Sequence, residues 1–234
     1  QRLRNDPDEL DALLATISIH VSQFFRNPEV FQLLEETILP DLCRRVRAAG
    51  RDCLRLWSVG CAGGEEPYSL ALLLDELNPA GLNIDILGTD ISQPTLDAAA
   101  QACYDRQRLR EVPPAVLRNY FQKEGEQFRL IERIRSMVRF ERHNVVTAAV
   151  YPEADLILCR NVLIYFSAAE QERILTGFAE CLSPFGVLVL GHSEFLHGVP
   201  DRYFRTEYPA YKVYRCNLRD DHDQQAVRRS LEVE

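Results

Sequence analysis

The chain has 234 residues, 46% hydrophobic and 26% charged, which fits one sizeable α/β domain or a domain plus a small appendage and argues against disorder. A formal net charge of −8 makes the molecule as a whole a poor nucleic-acid binder. Seven cysteines, at 43, 53, 61, 103, 159, 181 and 216, form no C-x-x-C pair, which argues against a zinc site or disulfide framework and for buried thiols in a cytoplasmic protein.

In chain order, residues 8–25 read as helical, followed by "NPEVFQLLEETILPDLCRRVRAAG". There Asn27 can cap, Pro28 suits the first helical position, Gly50 closes the C-terminal side, and Pro40 is expected to kink or divide the stretch. From Leu54 an alternation begins: strand "LRLWSVG", helix from about Glu66 to Leu77, strand "IDILGTD", helix from Ser92. Residues 103–142 break the rhythm with a helix, "PPAVLRNYF", and two short runs, "QFRLIERI" and "SMVRFERH", that read as a small β insertion. Then come strand "DLILCRN", a helix over 167–182, and strands "GVLVLGH" and "AYKVYRC", the last expected to add antiparallel at the edge. Apolar strands alternating with amphipathic helices predict an α/β fold with a mostly parallel sheet covered on both faces. No apolar run approaches the roughly 20 residues of a membrane span, and there is no signal peptide, so no membrane insertion is expected. The chain opens on Gln1 and reads as a domain excised from a longer protein.

Ligands of open α/β sheets lie beyond the carboxyl ends of the strands. Gly60-Cys61-Ala62-Gly63-Gly64-Glu65-Glu66 combines glycines, which let backbone approach a ligand, with two acids that repel phosphate and suit an ammonium or sulfonium. Glu66 also reads as a first-turn acid complementing the helix dipole. Asp90 ends the next strand and suits paired ribose hydroxyls, although a strand-end aspartate can also just cap the following helix. The third end is "DLILCRNVLIYF", where Arg160-Asn161 precede an apolar-aromatic stretch ending at Tyr165 and Phe166. A nucleoside bearing an amino acid and a positive sulfur, S-adenosylmethionine, satisfies all three. The G-x-G-x-x-G fingerprint of a nicotinamide oxidoreductase is absent, and Cys61 has no identifiable base.

"LWSVGCAGGEEPYSLA", "ILGTDIS" and "LILCRNVLIYF", with "VSQFFRN" near the start and "GHSE" at 191–194, resemble the signature blocks of CheR-type chemotaxis-receptor glutamate methyltransferases over roughly residues 13–216. The resemblance implies a class I S-adenosylmethionine-dependent (Rossmann-like) methyltransferase fold, with residues 1–26 as the linker helix left of an N-terminal helical domain, 27–216 as the methyltransferase domain containing a small β insertion at about 122–142, and 217–234 as a C-terminal tail. It implies S-adenosyl-L-methionine as cofactor, S-adenosyl-L-homocysteine as product, and glutamates on chemoreceptor cytoplasmic helices as acceptors. By the resemblance Glu65 lies near the methionine part of the cofactor, with Gly60 in the loop before it, Asp90 holds the ribose, Asn144 lies beside the adenine, and Asn161 and Val162 line the far side. Arg26 points to the reacting end, and Tyr165 lies near the acceptor. His20 and Ser22 stand where the family usually has asparagine and threonine: serine keeps the hydroxyl, whereas His20 changes size and gains a proton near neutral pH. These two are carried over as cofactor residues. The family's N-terminal helical domain, implied to help receptor docking, is almost wholly missing from the chain.

A glutamate acceptor, with a reference pKa of about 4.3, is ionised at neutral pH and needs no general base. Catalysis is then mainly positioning and desolvation of a carboxylate. The alternative function is a catalytically weak S-adenosylmethionine-binding sensor or scaffold. Residues 103–142 carry ten Lys/Arg against six acids, +4 within a −8 chain, which reads either as a solvated face or as a docking face for acidic receptor helices. Some members of the family are tethered by a receptor's C-terminal pentapeptide; the compact stretch with only Gly125 predicts no such tether here.

Overall fold

The computed structural model describes residues 22–77, 81–196 and 203–217. Of the helix expected over 8–25, residues 8–21, His20 among them, lie outside these, as does the tail beyond residue 217; residues 22–25 are described and are not helical but lead through a turn. Helix α1 (Pro28–Leu33) starts behind Asn27, with proline at its first turn, and passes through a π-helical turn (Leu34–Ile38) into α2 (Leu39–Ala48). The irregular turn stands immediately ahead of Pro40, whose missing N–H breaks the α-helical ladder, so the division expected there takes the form of a π turn. Gly50 follows at φ +70. Next come β1 (Cys53–Val59), α3 (Glu65–Leu77), β2 (Asn83–Asp90), α4 (Gln93–Gln101), β3 (Cys103–Tyr104), α5 (Pro114–Tyr120), β4 (Phe121–Glu124), β5 (Gln127–Leu130), α6 (Glu132–Arg135) and β6 (Val138–Arg142). The chain ends with β7 (Ala154–Cys159), α7 (Ala168–Cys181), β8 (Leu182–Leu190), β9 (Phe204–Tyr208) and β10 (Val213–Cys216). No helix among the described residues is long and apolar enough to cross a membrane.

The described residues divide into two compact units, one from 22–35, 60–77 and 85–143, the other from 36–59, 81–84, 144–196 and 203–217. In the second unit β1, β7 and β8 are parallel, and β10 then adds antiparallel to β8. β7 is buried at every position, as its unbroken apolar run "ADLILC" requires of a central parallel strand. Asp155, at 0% exposure, receives both terminal nitrogens of Arg51 (2.7 and 2.8 Å) and the Arg55 N–H (3.0 Å), fastening the entry of β1 to β7. Trp57 of β1 packs edge-on against Tyr151 and Phe178, and Gly177 leaves room for the Tyr151 ring. Helix α7 opens on a capping box in which Ser167 and Glu170 satisfy each other's backbone N–H groups. One expectation is corrected here. β10 is not an edge strand, because β9 pairs along its other side. Arg215 stabilises that hairpin from within, bonding Glu207 through two nitrogens (2.7 and 3.1 Å) and the Phe185 carbonyl (2.9 Å).

The first unit carries the antiparallel sheet β3-β5-β4, joined by a two-residue turn at Gly125-Glu126. The run "SMVRFERH" does not belong to it, a second correction: β6 lies parallel to β2, with Ile86 opposite Val138, Gly88 opposite Phe140 and Asp90 opposite Arg142. The physical reason is at Gly88. A Cβ there would lie 2.8 and 2.9 Å from the Phe140 ring and 3.1 Å from Cys61 Sγ, so the missing side chain is the space Phe140 fills. Gly88→Ala is expected to overpack this contact and cost about 1–3 kcal/mol, read as a lower urea midpoint at unchanged slope. An unchanged midpoint would mean that the ring relocates freely.

Candidate active site

In the first unit the turn after β1 is shaped by backbone conformation. Gly60 has φ +64, Ala62 +48 and Gly64 +84, and at Gly64 a Cβ would also meet Phe140, Ala99 and Tyr68 at 3.0–3.2 Å, so only glycine fits. The turn is tied to the end of β2: the Cys61 N–H donates to the Thr89 carbonyl (2.9 Å) and the Ala62 N–H to Asp90 Oδ2 (3.0 Å). Asp90 Oδ1 accepts from the Ser92 N–H (3.0 Å), at the N-cap of α4. Asp90 thus holds the backbone leading into α4 and also clamps the glycine turn, and at 8% exposure it keeps carboxylate lone pairs for further donors.

Glu65, the first residue of α3, is fully buried. Its Oε1 is paired with the Arg108 guanidinium, while Oε2 is buried without a hydrogen-bond partner among the described residues. The sequence argued that this acid wants a cation; the protein supplies one of its own from the loop before α5. Arg108 counted in the sequence only as one arginine of a basic stretch, and its partner 43 positions away left no local signal. Glu66 is half-buried in the first turn. Tyr104 donates to the Gly63 carbonyl (2.8 Å), and burial holds its phenol well above the usual tyrosine range, so it remains a donor. Burial, then the charges of Asp90, Glu66 and Glu65, hold the Cys61 thiol far above its ordinary pKa, which removes it as a nucleophile at neutral pH.

Arg26 lies in a turn flanked by two left-handed residues, Phe25 (φ 51) and Asn27 (φ 62). The Phe25 N–H donates to Ser69 Oγ (3.0 Å), which donates to the Glu65 carbonyl (2.7 Å), and the Phe24 N–H donates to the Arg108 carbonyl (3.1 Å). The turn bearing Arg26 is therefore pinned to the same helix start that carries Glu65. Ser22 is half-buried just before it.

In the second unit Asn144 is half-buried and folds its own turn, with Oδ1 accepting from the Val146 N–H (3.0 Å). Asn161 (φ 62) and Val162, both half-buried, follow β7, and their N–H groups donate to the Glu194 carboxylate at 2.9 and 2.8 Å. Tyr165 closes a 3-10 turn (Leu163–Tyr165) and is 69% exposed, far from the packing role that an aromatic at a strand end could have had. Arg160 is buried. The sequence noted "GHSE" without giving Glu194 a task.

The family "CheR methyltransferase, SAM binding domain" matches residues 20–212. The chain belongs to this family. CheR relatives include the chemotaxis protein methyltransferase of Listeria monocytogenes, 37% identical over 194 residues, covering 83% of this chain and 72% of the relative. Chemotaxis protein methyltransferase 2 of Vibrio cholerae is 33% identical over 224 residues (92% and 77% covered). Chemotaxis protein methyltransferase 1 of Pseudomonas aeruginosa is 36% identical over 201 residues (82% and 72%). As a CheR-family domain the chain is an S-adenosylmethionine-dependent methyltransferase of mixed α/β fold, with S-adenosylmethionine as its cofactor.

Proposed function

We propose that this domain methylates glutamate side chains of chemoreceptor cytoplasmic helices, giving glutamate methyl esters and S-adenosylhomocysteine in the cytoplasm. The observation that carries the cofactor site is the Asp90 clamp: a carboxylate fixed at the end of β2 by two backbone donors, against a turn with three left-handed residues, with acceptor capacity left for ribose hydroxyls. The partnerless buried Oε2 of Glu65 fits the amino group of the methionine part. Gly60, Glu65, Asp90, Arg26, Ser22 and His20 are the residues assigned to the cofactor ahead of β6, and Asn144, Asn161 and Val162 those after it, with residues 27–216 as the methyltransferase domain and His20, Ser22 and Arg26 just ahead of it. S-adenosylmethionine supplies an electrophilic methyl group. The chain's own work is to aim an already ionised carboxylate, with Arg26 and the exposed Tyr165 hydroxyl as donors, and to keep it dry.

Calorimetric titration with S-adenosylhomocysteine, followed by methyl transfer to receptor membranes read as alkali-labile label, tests this. Binding and ester formation support the reading. Binding without transfer leaves a sensor or scaffold, and binding of NADH alone would overturn it.

For the partner, the arginines of residues 103–142 are largely committed within the unit. Arg133 pairs with Asp75, Arg135 with Glu132, Arg139 with Asp85 and Glu141, and Arg129 with Glu124. Arg106, Arg118 and Lys123 are exposed, Arg106 lying over the Phe128 ring, and carry field toward acidic receptor helices. Methylation of a receptor fragment is expected to fall several-fold between low and high salt as the screening length drops from about 10 Å at 0.1 M to about 3 Å at 1 M. Reversing Arg106, Arg118 and Lys123 together should abolish that dependence and leave cofactor affinity intact. The tight Gly125-Glu126 turn supports no pentapeptide tether. Salt-independent kinetics would sink the steering claim, and a receptor pentapeptide bound at micromolar affinity the second.

A further inference from the structure

Glu194 is 3% exposed, and its carboxylate is enclosed by main-chain donors. Oε2 accepts from the N–H groups of Gly191 (2.5 Å) and Asn161 (2.9 Å), Oε1 from those of Val162 (2.8 Å) and Leu163 (2.7 Å). Three successive N–H groups converging on one anion require the chain to reverse its backbone twist, which Asn161 does at φ 62 before Val162 returns to φ −115. This is the concave arrangement that binds phosphates elsewhere, filled here by a side chain of the same protein. Gly191 is part of the device: a Cβ there would lie 2.6 Å from Glu194 Oε2 and 2.8 Å from the Asn161 nitrogen. "GHSE" and "CRNVL" thereby form one unit, glycine for access and glutamate for charge.

We infer that Glu194 is a positioning residue, an internal anion whose four backbone bonds set the Asn161–Leu163 turn in the shape that presents Asn161 and Val162 to S-adenosylmethionine and starts the 3-10 turn leading to Tyr165. The inference rests on the cofactor site proposed above. It adds a residue that does not touch the cofactor and acts through the backbone it holds. Both oxygens are used twice, so an amide cannot substitute: in either orientation its NH₂ faces two N–H donors.

The test is Glu194→Gln against Ile174→Val and Leu175→Ala, core variants of α7 in the same unit, the one closest in thermal stability serving as control. At a temperature where circular dichroism reports all proteins folded, Glu194→Gln should raise the dissociation constant for S-adenosylhomocysteine at least tenfold, and the matched control less than twofold. Amide exchange at 161–163 in the unliganded protein should speed up in Glu194→Gln alone. Equal loss of affinity in variant and control, or unchanged affinity in Glu194→Gln, overturns the inference. If Glu194→Gln does not fold, Gly191→Ala, which crowds the carboxylate without removing it, is read against the same two outcomes. Failure of the unmodified protein to bind S-adenosylhomocysteine is a different result: it sinks the proposed cofactor site, and this inference with it.

Discussion

Arg26→Ala is expected to lower methyl transfer by about 100-fold, the order lost when a reacting group is misplaced by about 1 Å, while affinity for S-adenosylhomocysteine changes only several-fold. The split between rate and affinity follows from how the residue is held. Its turn is fixed by neighbours: Phe24 packs edge-on against Tyr104 and Phe121, the Phe25 N–H reaches Ser69, and the Phe24 N–H reaches the Arg108 carbonyl. These contacts run through Phe24 and Phe25 and persist when Arg26 is replaced by alanine. Arg26→Lys should recover part of the rate, because an ammonium keeps the charge but loses the planar fork that orients a carboxylate. Single-turnover kinetics at saturating cofactor, alongside calorimetry, separate the two quantities. A collapse of affinity in step with rate would make Arg26 a cofactor ligand alone and leave the acceptor without its proposed guide.

The parts of this site legible in the sequence are those written in consecutive residues. "GCAGGEE" announces a tight turn with acids, and the turn has its left-handed backbone at Gly60, Ala62 and Gly64. "ILGTD" ends at Asp90 as a strand should, and "SAAE" forms the capping box of α7. What could not be read depends on partners distant in the chain. Periodicity gives "SMVRFER" as a strand but says nothing of its neighbour, which the space left at Gly88 decides. Tyr203-Phe204 is too short an apolar stretch to signal β9, whose place comes from pairing along β10 and from Glu207 meeting Arg215. Arg108 on Glu65 and Glu194 on the Asn161 turn are long-range polar contacts that fill buried acceptors, and no spacing rule encodes them.

Asp90→Ala should weaken S-adenosylhomocysteine binding ten- to a hundred-fold, the equivalent of about 1.5–3 kcal/mol for hydrogen bonds to a charged acceptor. The variant loses more than ligand contacts, because Asp90 also holds the Ala62 and Ser92 N–H groups. A fall in affinity alone therefore does not separate a ribose ligand from a brace for the glycine turn. A cycle with the 2′-deoxy analogue of S-adenosylhomocysteine does. If the carboxylate accepts from the ribose, deleting that hydroxyl costs the unmodified protein affinity and costs Asp90→Ala little, since the acceptor is already gone. If Asp90 only braces the turn, the deoxy penalty is the same in both proteins. Asp90→Asn sharpens the comparison. Its single carbonyl oxygen can serve one of the two backbone donors, but its NH₂ then confronts the other, so turn and ligand contacts both suffer, and its affinity should fall between those of the other two proteins. Full affinity in Asp90→Ala removes the residue from the site, and equal deoxy penalties reduce it to the clamp already visible between β2 and the glycine turn.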